Sequence, residues 1–399
     1  LRAAFFAKIP FMVFRFRFCR VCFASLLACL ALGLSTLAVL ADAPLPQPAP
    51  MVLEEKSTRV LAPGIELTTI HRNIPDAPLQ FYVVKVDPRA GGKESKWNLK
   101  VVPAEYSVLK ATTVSEIAKR ENALLAVNGG YFAFGGAALG AVKVDGEWIR
   151  LPWKNRTALG IDENGGVLVD NLRADLAAGF DGLAQMLPVA NFNGYPPIDG
   201  FSVLTPRFGT IYNLRNNEIA LEIQDGFVRS KVLSAKANVL QGGWTLVANG
   251  AARDKLTSIA VGAAAHLQFI MPVAWDKYPT LLGAGPRLLK NGVISTTEKE
   301  EGFRPDVIAR GPRTAFGVDE TGHWIFVIAD GRLPEYSVGL TIPELAREMQ
   351  TAGAVEAICL DGGGSTAFVV NGEVLNRPSD GFERKVANAL AVVAALPKR

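Results

Sequence analysis

Four dipeptides do most to limit what this chain can become. Asp145-Gly146, Asp225-Gly226, Asn291-Gly292 and Asn371-Gly372 each stand between short stretches that alternate apolar and polar residues. A two-residue hairpin turn of the favoured type needs positive φ at both positions, which Asn, Asp and Gly tolerate, and its twist matches that of the antiparallel strands it joins. Residues 79–86 and 99–102 read as strands by the same alternation. Three stretches read instead as helices, at about 113–122, 174–187 and 341–352. In the third, Thr341 is placed to cap the helix with Glu344 reaching back, and Gly353 stands where a C-terminal glycine belongs. The expected fold class is therefore α+β, a mixed and strand-rich sheet with a few packed helices.

The chain repeats itself. Residues 156–165 (RTALGIDENG) match 313–322 (RTAFGVDETG) at seven of ten positions. Thr113 to Lys119 resembles Thr341 to Arg347, and each is followed by an apolar strand and a glycine turn, Asn128-Gly129-Gly130 in one case and Asp361 to Gly364 in the other. Two common hairpins would explain the first match. A pseudo-symmetric duplicated half would explain both, and would put the two glycine turns at one end of a single sheet, facing a shared cleft.

The N-terminus reads as an export leader. Arg15, Arg17 and Arg20 precede an uncharged run over 21–41, and Val39-Leu40-Ala41 offers small residues for cleavage before Asp42. Translation from Met12 would give a leader of ordinary length. A retained membrane anchor and lipid attachment at Cys29 are the other two readings of the same run. The expected organisation is a leader over 1–41, a Pro-rich linker over 42–63 with Pro44, Pro46, Pro48 and Pro50, and one domain over 64–399. The formal charge of +4 belongs to the leader. Without its five basic residues the chain holds 37 basic and 38 acidic residues, a net of −1, so nothing in the charge argues for nucleic acid. Only Cys359 lies outside the leader, in the apolar strand pattern of a buried small hydrophobe. His71, His266 and His323 have no ligand spacing, which argues against zinc and leaves a hard cation on carboxylates open. No cofactor is expected.

The chemistry concentrates in Asp361-Gly362-Gly363-Gly364-Ser365-Thr366. Three glycines at a strand exit are entropically costly, so a close backbone approach or an anion-binding nest of amides is implied. Asp361 can be a base, a nucleophile or an acceptor there, or simply the cap of a tight turn. Asn128 can hold a sugar hydroxyl, orient a carboxylate or serve as a turn residue. Arg313 suits a bidentate clamp on phosphate, against the plain alternative of a solvated arginine. Asp330-Gly331-Arg332 adds a second carboxylate and guanidinium, or is a plain turn.

The ordered set Gly283-Ala284-Gly285-Pro286, Pro312-Arg313-Thr314-Ala315, Asp330-Gly331-Arg332, Thr341 to Ala346, Leu360 to Thr366 and Asn376-Arg377-Pro378-Ser379-Asp380, with Asn128 to Phe132 ahead of it, resembles the phosphodiester glycosidase family over roughly 65–395; residues 188–250 match less clearly. The resemblance implies an exported hydrolase that cleaves between an anomeric carbon and a phosphodiester oxygen, with a carbohydrate or glycan phosphodiester as substrate. It implies Asp361, Asp330, Arg313 and Asn128 as the catalytic set. Around them it implies Gly129, Gly130, Tyr131, Arg287, Thr314, Arg332, Gly362, Gly363, Gly364, Ser365, Thr366, Arg377 and Ser379 as substrate-binding. Three rivals remain: a hydrolase of phosphodiester-linked envelope or capsular polymers, a non-catalytic glycan-binding envelope protein, and a structural envelope domain.

Overall fold

A computed structural model describes residues 53–74, 77–90, 97–133, 135–153 and 155–395. The leader and most of the Pro-rich segment lie outside the described residues. Strands dominate, and the turn dipeptides do what their chemistry requires. Asp145, Asp225, Asn291 and Asn371 all have φ near +50°, each followed by a positive-φ glycine.

Three sheets share one strand order: a hairpin, a central strand, then an antiparallel pair. In the first, the hairpin Val142–Val144/Glu147–Arg150 flanks Thr280–Gly283, with Arg156–Ile161 and Val167–Leu172 beyond it. In the second, Arg287–Lys290/Val293–Ile294 flanks Glu356–Cys359, with Arg313–Val318 and Trp324–Ala329 beyond; Ala77–Val86, Ile65–Ile74 and Leu53–Ala62 extend that sheet to eight strands. In the third, Phe368–Val370/Glu373–Val374 flanks Ala123–Asn128, with Asn388–Ala394 and Trp97–Pro103 beyond. The amide just past each central strand is held alike. Gly129 N donates to Asn388 O at 3.0 Å, Ala284 N to Thr157 O at 3.1 Å and Leu360 N to Thr314 O at 2.9 Å. Inner faces of all three sheets meet in one apolar cluster that includes Leu125, Val127, Leu159, Leu282, Phe316, Phe326, Ile358, Phe368 and Leu390.

Between the first sheet's last hairpin and its central strand, the chain builds a seven-stranded sheet from Asp175–Phe180, Leu187–Phe192, Phe201–Leu204, Glu218–Gln224, Phe227–Val232, Gly243–Asn249 and Ala265–Ile270. Its core joins the first sheet through Trp148, Ala158, Leu172, Trp275 and Leu281.

Two of the three expected helices form. Val114–Arg120 and Ile342–Thr351 both carry a full capping box, Thr113 with Glu116 and Thr341 with Glu344. The second buries Ile342, Leu345, Ala346 and Met349 against Ile325, Val327 and Ala357 of the eight-stranded sheet. At roughly 1.5–3 kcal/mol for each large side chain, that stripe rather than helix propensity holds it in place.

The remaining expectations need correction. Residues 174–187 are not a helix but the strands Asp175–Phe180 and Leu187–Phe192, paired antiparallel. Their alanine and leucine content suggests a helix, yet the buried residues Leu176, Ala178 and Phe180 recur at period two, and Asp181-Gly182 is a turn. The linker does not reach residue 63. Leu53–Ala62 is a strand paired along its length with Ile65–Ile74, and its side chains are mostly exposed, so no apolar alternation announces it. The two RTA segments head equivalent hairpins, but in different sheets, and a third sheet of the same order carries no RTA.

Candidate active site

The turns that leave the three central strands converge. Asp361 N donates to Gly129 O at 2.9 Å, Gly285 N donates to Cys359 O at 3.0 Å, and Asn128 Nδ2 donates to Asp361 O at 2.6 Å. Contact is close enough that a Cβ on Gly130 would lie 2.3 Å from Gly283 O. The two glycine turns expected at one sheet end thus come from different sheets and touch through main chain.

Asp361 occupies the centre. It is partly exposed, and its Oδ1 accepts from Gly362 N at 2.8 Å. Burial pushes its carboxyl up to about 6, against the opposing pull of the Ser365 hydroxyl, the Gly362 amide and the positive charges of Arg384 and Arg313. The backbone then turns through Gly363–Ser365 as a short 3-10 segment. Two guanidinium groups lie against it. Arg332, exposed and at φ +61°, comes within 3.0 Å of where a Cβ on Gly363 would stand. Arg384 Nη2 would be 2.1 Å from a Cβ on Gly364, with Asp380 Oδ2 at 2.3 Å. Arg384 is held by Asp380 at 2.6 Å. Only glycine at 364 leaves room for that ion pair. A partly exposed carboxyl at the head of a turn flanked by two guanidinium groups is equipped to receive an anionic ester and to act on the carbon beside it.

Asp330 has a different place. It is fully enclosed, and its Oδ1 accepts from Asn376 Nδ2 and from Arg377 N, each at 3.0 Å, while Tyr336 OH donates to Oδ2 at 3.4 Å. Burial pushes it up to about 6. Asn376 also donates to Thr366 O at 3.2 Å, so Asp330 fixes the strand exit behind the turn rather than facing a ligand.

Arg313 is likewise not a substrate clamp. It is 3% exposed, with Nε on Leu340 O at 3.0 Å, Nη1 on Val307 O at 2.9 Å and Nη2 on Ala309 O. Asn128 is enclosed: its Oδ1 accepts from Thr314 Oγ1 at 2.7 Å and from Ala367 N at 3.2 Å, so neither Asn128 nor Thr314 can reach a sugar hydroxyl. Arg287 turns away to Asp170 at 3.4 Å. Gly129 backs onto Asn388, whose Oδ1 takes the amide of Gly130 at 2.8 Å. The exposed Arg377 lies over the Tyr336 ring at 5.3 Å. Thr366 Oγ1 and Ser379 Oγ are buried without a hydrogen-bond partner. Cys359 is enclosed with its thiol pushed up to about 12 by burial, as its apolar strand implied. Among the described residues no three His, Cys, Asp or Glu side chains group as metal ligands.

Tyr131 donates to Gly285 O at 3.0 Å. Tyr131 lines a small depression with Trp153, Arg156, Leu172 and Gly283, of about 10 Å³, room for about one water. Burial raises the phenol well above its usual range, with the Asp361 charge adding to this and the charges of Arg313 and Arg156 opposing it.

Asp380, Arg384 and Arg156 are the residues missing from the expected site. Asp380 ends the motif Asn376 to Asp380, with Arg384 four residues on, and Arg156 is the sequence counterpart of Arg313, so a signal for each is present.

The model of the phosphodiester glycosidase family matches residues 217–393. The likeness to that family is carried by these residues. The match takes in Asp330, Arg332, Asp361 to Ser365, Asp380 and Arg384, while Asn128 to Tyr131 and Arg156 lie ahead of it. The mouse N-acetylglucosamine-1-phosphodiester alpha-N-acetylglucosaminidase is 29% identical over 171 residues, 39% of this chain; the chain spans about a third (32%) of that relative's length. A hypothetical protein from Synechocystis has the same fold, with a TM-score of 0.75 and 26% identity over 89% of this chain and 65% of that one. An exported-protein candidate from Burkholderia pseudomallei K96243 shares the fold at a TM-score of 0.72 and 20% identity, over 88% of this chain and 98% of its own. Among the described residues of this phosphodiester glycosidase relative, no helix is long and apolar enough to cross a membrane.

Proposed function

We propose that this protein hydrolyses the bond between a sugar's anomeric carbon and a phosphodiester oxygen, and that it does so outside the cytoplasm. The observation that carries the reading is the Asp361–Ser365 turn, with its partly exposed carboxylate and the Arg332 and Arg384 guanidinium groups packed against it. Ordinary glycosides need a protonated carboxyl to help a poor leaving group depart. A phosphodiester departs as a weakly basic anion, so cations can replace much of that help. In the proposed reaction the anomeric C–O bond breaks with its electron pair on the phosphate oxygen. Water adds hydroxyl to the carbon, and its proton passes to the phosphomonoester. Asp361, ionised, activates the water or stabilises the developing oxocarbenium ion. Asp330 is assigned a positioning part. The name of the mouse relative supports N-acetylglucosamine as the first sugar to try, and the leader pattern of 1–41 supports export.

The test is phosphorus NMR of the purified protein with an N-acetylglucosamine-1-phosphate methyl diester, with Asp361→Asn run beside it. New phosphomonoester signal from wild type alone supports the reading. Silence from wild type across sugar-1-phosphodiesters, with glycan binding retained, turns it toward a non-catalytic binding protein.

A further inference from the structure

Arg156 and Arg313 hold the same position in matching hairpins, but their surroundings differ. Arg313 donates to three main-chain carbonyls. Arg156 donates to no described residue. Its guanidinium lies 4.1 Å from the centroid of the Phe303 ring and 5.0 Å from that of Trp153, and its Nε is buried without a partner. Glu301, the carboxylate with electrostatic reach to it, is 5% exposed and already accepts from Thr157 N, Thr157 Oγ1, Thr297 Oγ1 and Arg287 N. Burial lowers the Arg156 pKa, with Tyr131 and Glu301 opposing the shift, so the cation is held where its charge is poorly compensated. It lines the same depression as Tyr131, and the Tyr131 hydroxyl is within electrostatic reach of both Arg156 and Asp361. Aromatic faces stacked on a guanidinium fix its plane while leaving its edge donors for a ligand.

We infer that the depression lined by Arg156, Trp153 and Tyr131 is a subsite for a second anionic group, a carboxylate or a phosphate, carried by the substrate beside the scissile phosphodiester. The inference rests on the hydrolytic reading above and narrows it. A substrate with one negative charge would occupy the Arg332 and Arg384 cradle and leave Arg156 unanswered. A glycan or polymer with charges on neighbouring units answers both. The edge-on approach to a stacked guanidinium favours planar or tetrahedral oxyanions over neutral hydroxyls.

Three diesters of N-acetylglucosamine 1-phosphate, with methyl, carboxymethyl and 2-phosphoethyl aglycones, test this in the full protein. The wild type should show kcat/KM at least about tenfold higher for one or both anionic aglycones than for methyl. Which of the two gains more identifies the group. Arg156→Gln should bring the ratio to near one, and Arg156→Lys should leave it between. Equal kcat/KM on all three in wild type, or an unaltered ratio in Arg156→Gln, overturns the inference. Equilibrium binding to the Asp361→Asn protein, read by tryptophan fluorescence, separates this from the chemistry. Tighter binding of the anionic diesters that is lost on adding Arg156→Gln supports the subsite even where no diester turns over, an outcome that would sink the hydrolytic reading alone. Equal or absent binding of all three overturns the subsite whatever the turnover.

Discussion

The side-chain amide of Asn128 donates to the main-chain carbonyl of Asp361 at 2.6 Å, joining two turns that are 233 residues apart in the chain. The same side chain accepts from Thr314 and from the amide of Ala367, so one enclosed residue ties together three segments around the carboxylate. Asn128→Ala leaves three buried polar groups unanswered and should cost about 2–4 kcal/mol of stability. Urea unfolding of the variant checks this, and a loss under about 1 kcal/mol would show that water or local repacking satisfies those groups.

Gly364→Ala should separate geometry from folding. A Cβ there meets Arg384 Nη2 and Asp380 Oδ2 well inside contact distance, so the ion pair must move off the turn. We expect kcat/KM to fall on the order of 100-fold with the melting temperature little changed. Near-normal turnover would remove Arg384 from the anion cradle.

The pH profile should report Asp361. Its carboxyl is pushed up to about 6, and the proposed chemistry uses the ionised form. So kcat/KM should rise with pH to a plateau, with a midpoint near the same value. A profile that falls through that range would make Asp361 a proton donor instead.

Asp330 should govern stability rather than rate. Its pKa of about 6 when folded exceeds the ordinary 3.8, so the folded state holds the proton that the unfolded state has released. The stabilisation from that proton is complete below the unfolded pKa and is lost as pH rises through about 6, a change of about 3 kcal/mol. Asp330→Asn keeps an acceptor for Asn376 and Arg377 and carries no charge to desolvate. It should flatten the dependence between pH 4 and about 7. Denaturant melts across that interval read the slope directly; an unchanged slope would assign it to other carboxylates.

Arg313 and Arg332 should fail in opposite ways. Arg313→Lys puts all its donors on one nitrogen, which cannot reach three carbonyls met by three separate guanidinium nitrogens, and should lose about 3 kcal/mol or more of stability. Arg332→Ala removes an exposed side chain, and should leave stability within about 0.5 kcal/mol while raising KM for the diester about tenfold. Paired melts and kinetics decide, and a KM change confined to Arg313→Lys would restore the clamp to that residue.

Local chemistry was readable where one or two residues decide the outcome. The Asn-Gly and Asp-Gly turns, the Thr341-x-x-Glu344 capping box and the buried Cys359 follow from side-chain preferences that act within a few positions. The glycine turn at Asp361 was readable as a close approach of backbone, since nothing else justifies three glycines at a strand exit. The role of each arginine was not. Arg313 and Arg156 sit in nearly the same ten residues, and what separates them is whether the loop at 307–309 offers carbonyls. Arg384 becomes a cradle cation through Gly364, twenty residues earlier in the chain. Alanine- and leucine-rich 174–187 misled because composition alone does not carry a period, and the exposed strand Leu53–Ala62 hid because it buries almost nothing.

Asn388–Ala394 lies between Ala123–Asn128 and Trp97–Pro103, and Asn388 holds the amides of both Gly129 and Gly130. The earliest part of the candidate site is therefore fastened by a strand that lies 258 residues further along the chain. Pairings of such long range close slowly, because the loop between them must first be gathered in. A chain growing from its N-terminus carries Gly130 through 258 further residues before Asn388, which holds its amide, is made. The candidate site takes shape only when the third sheet is sewn shut, so connectivity alone sets the order in which its parts are assembled.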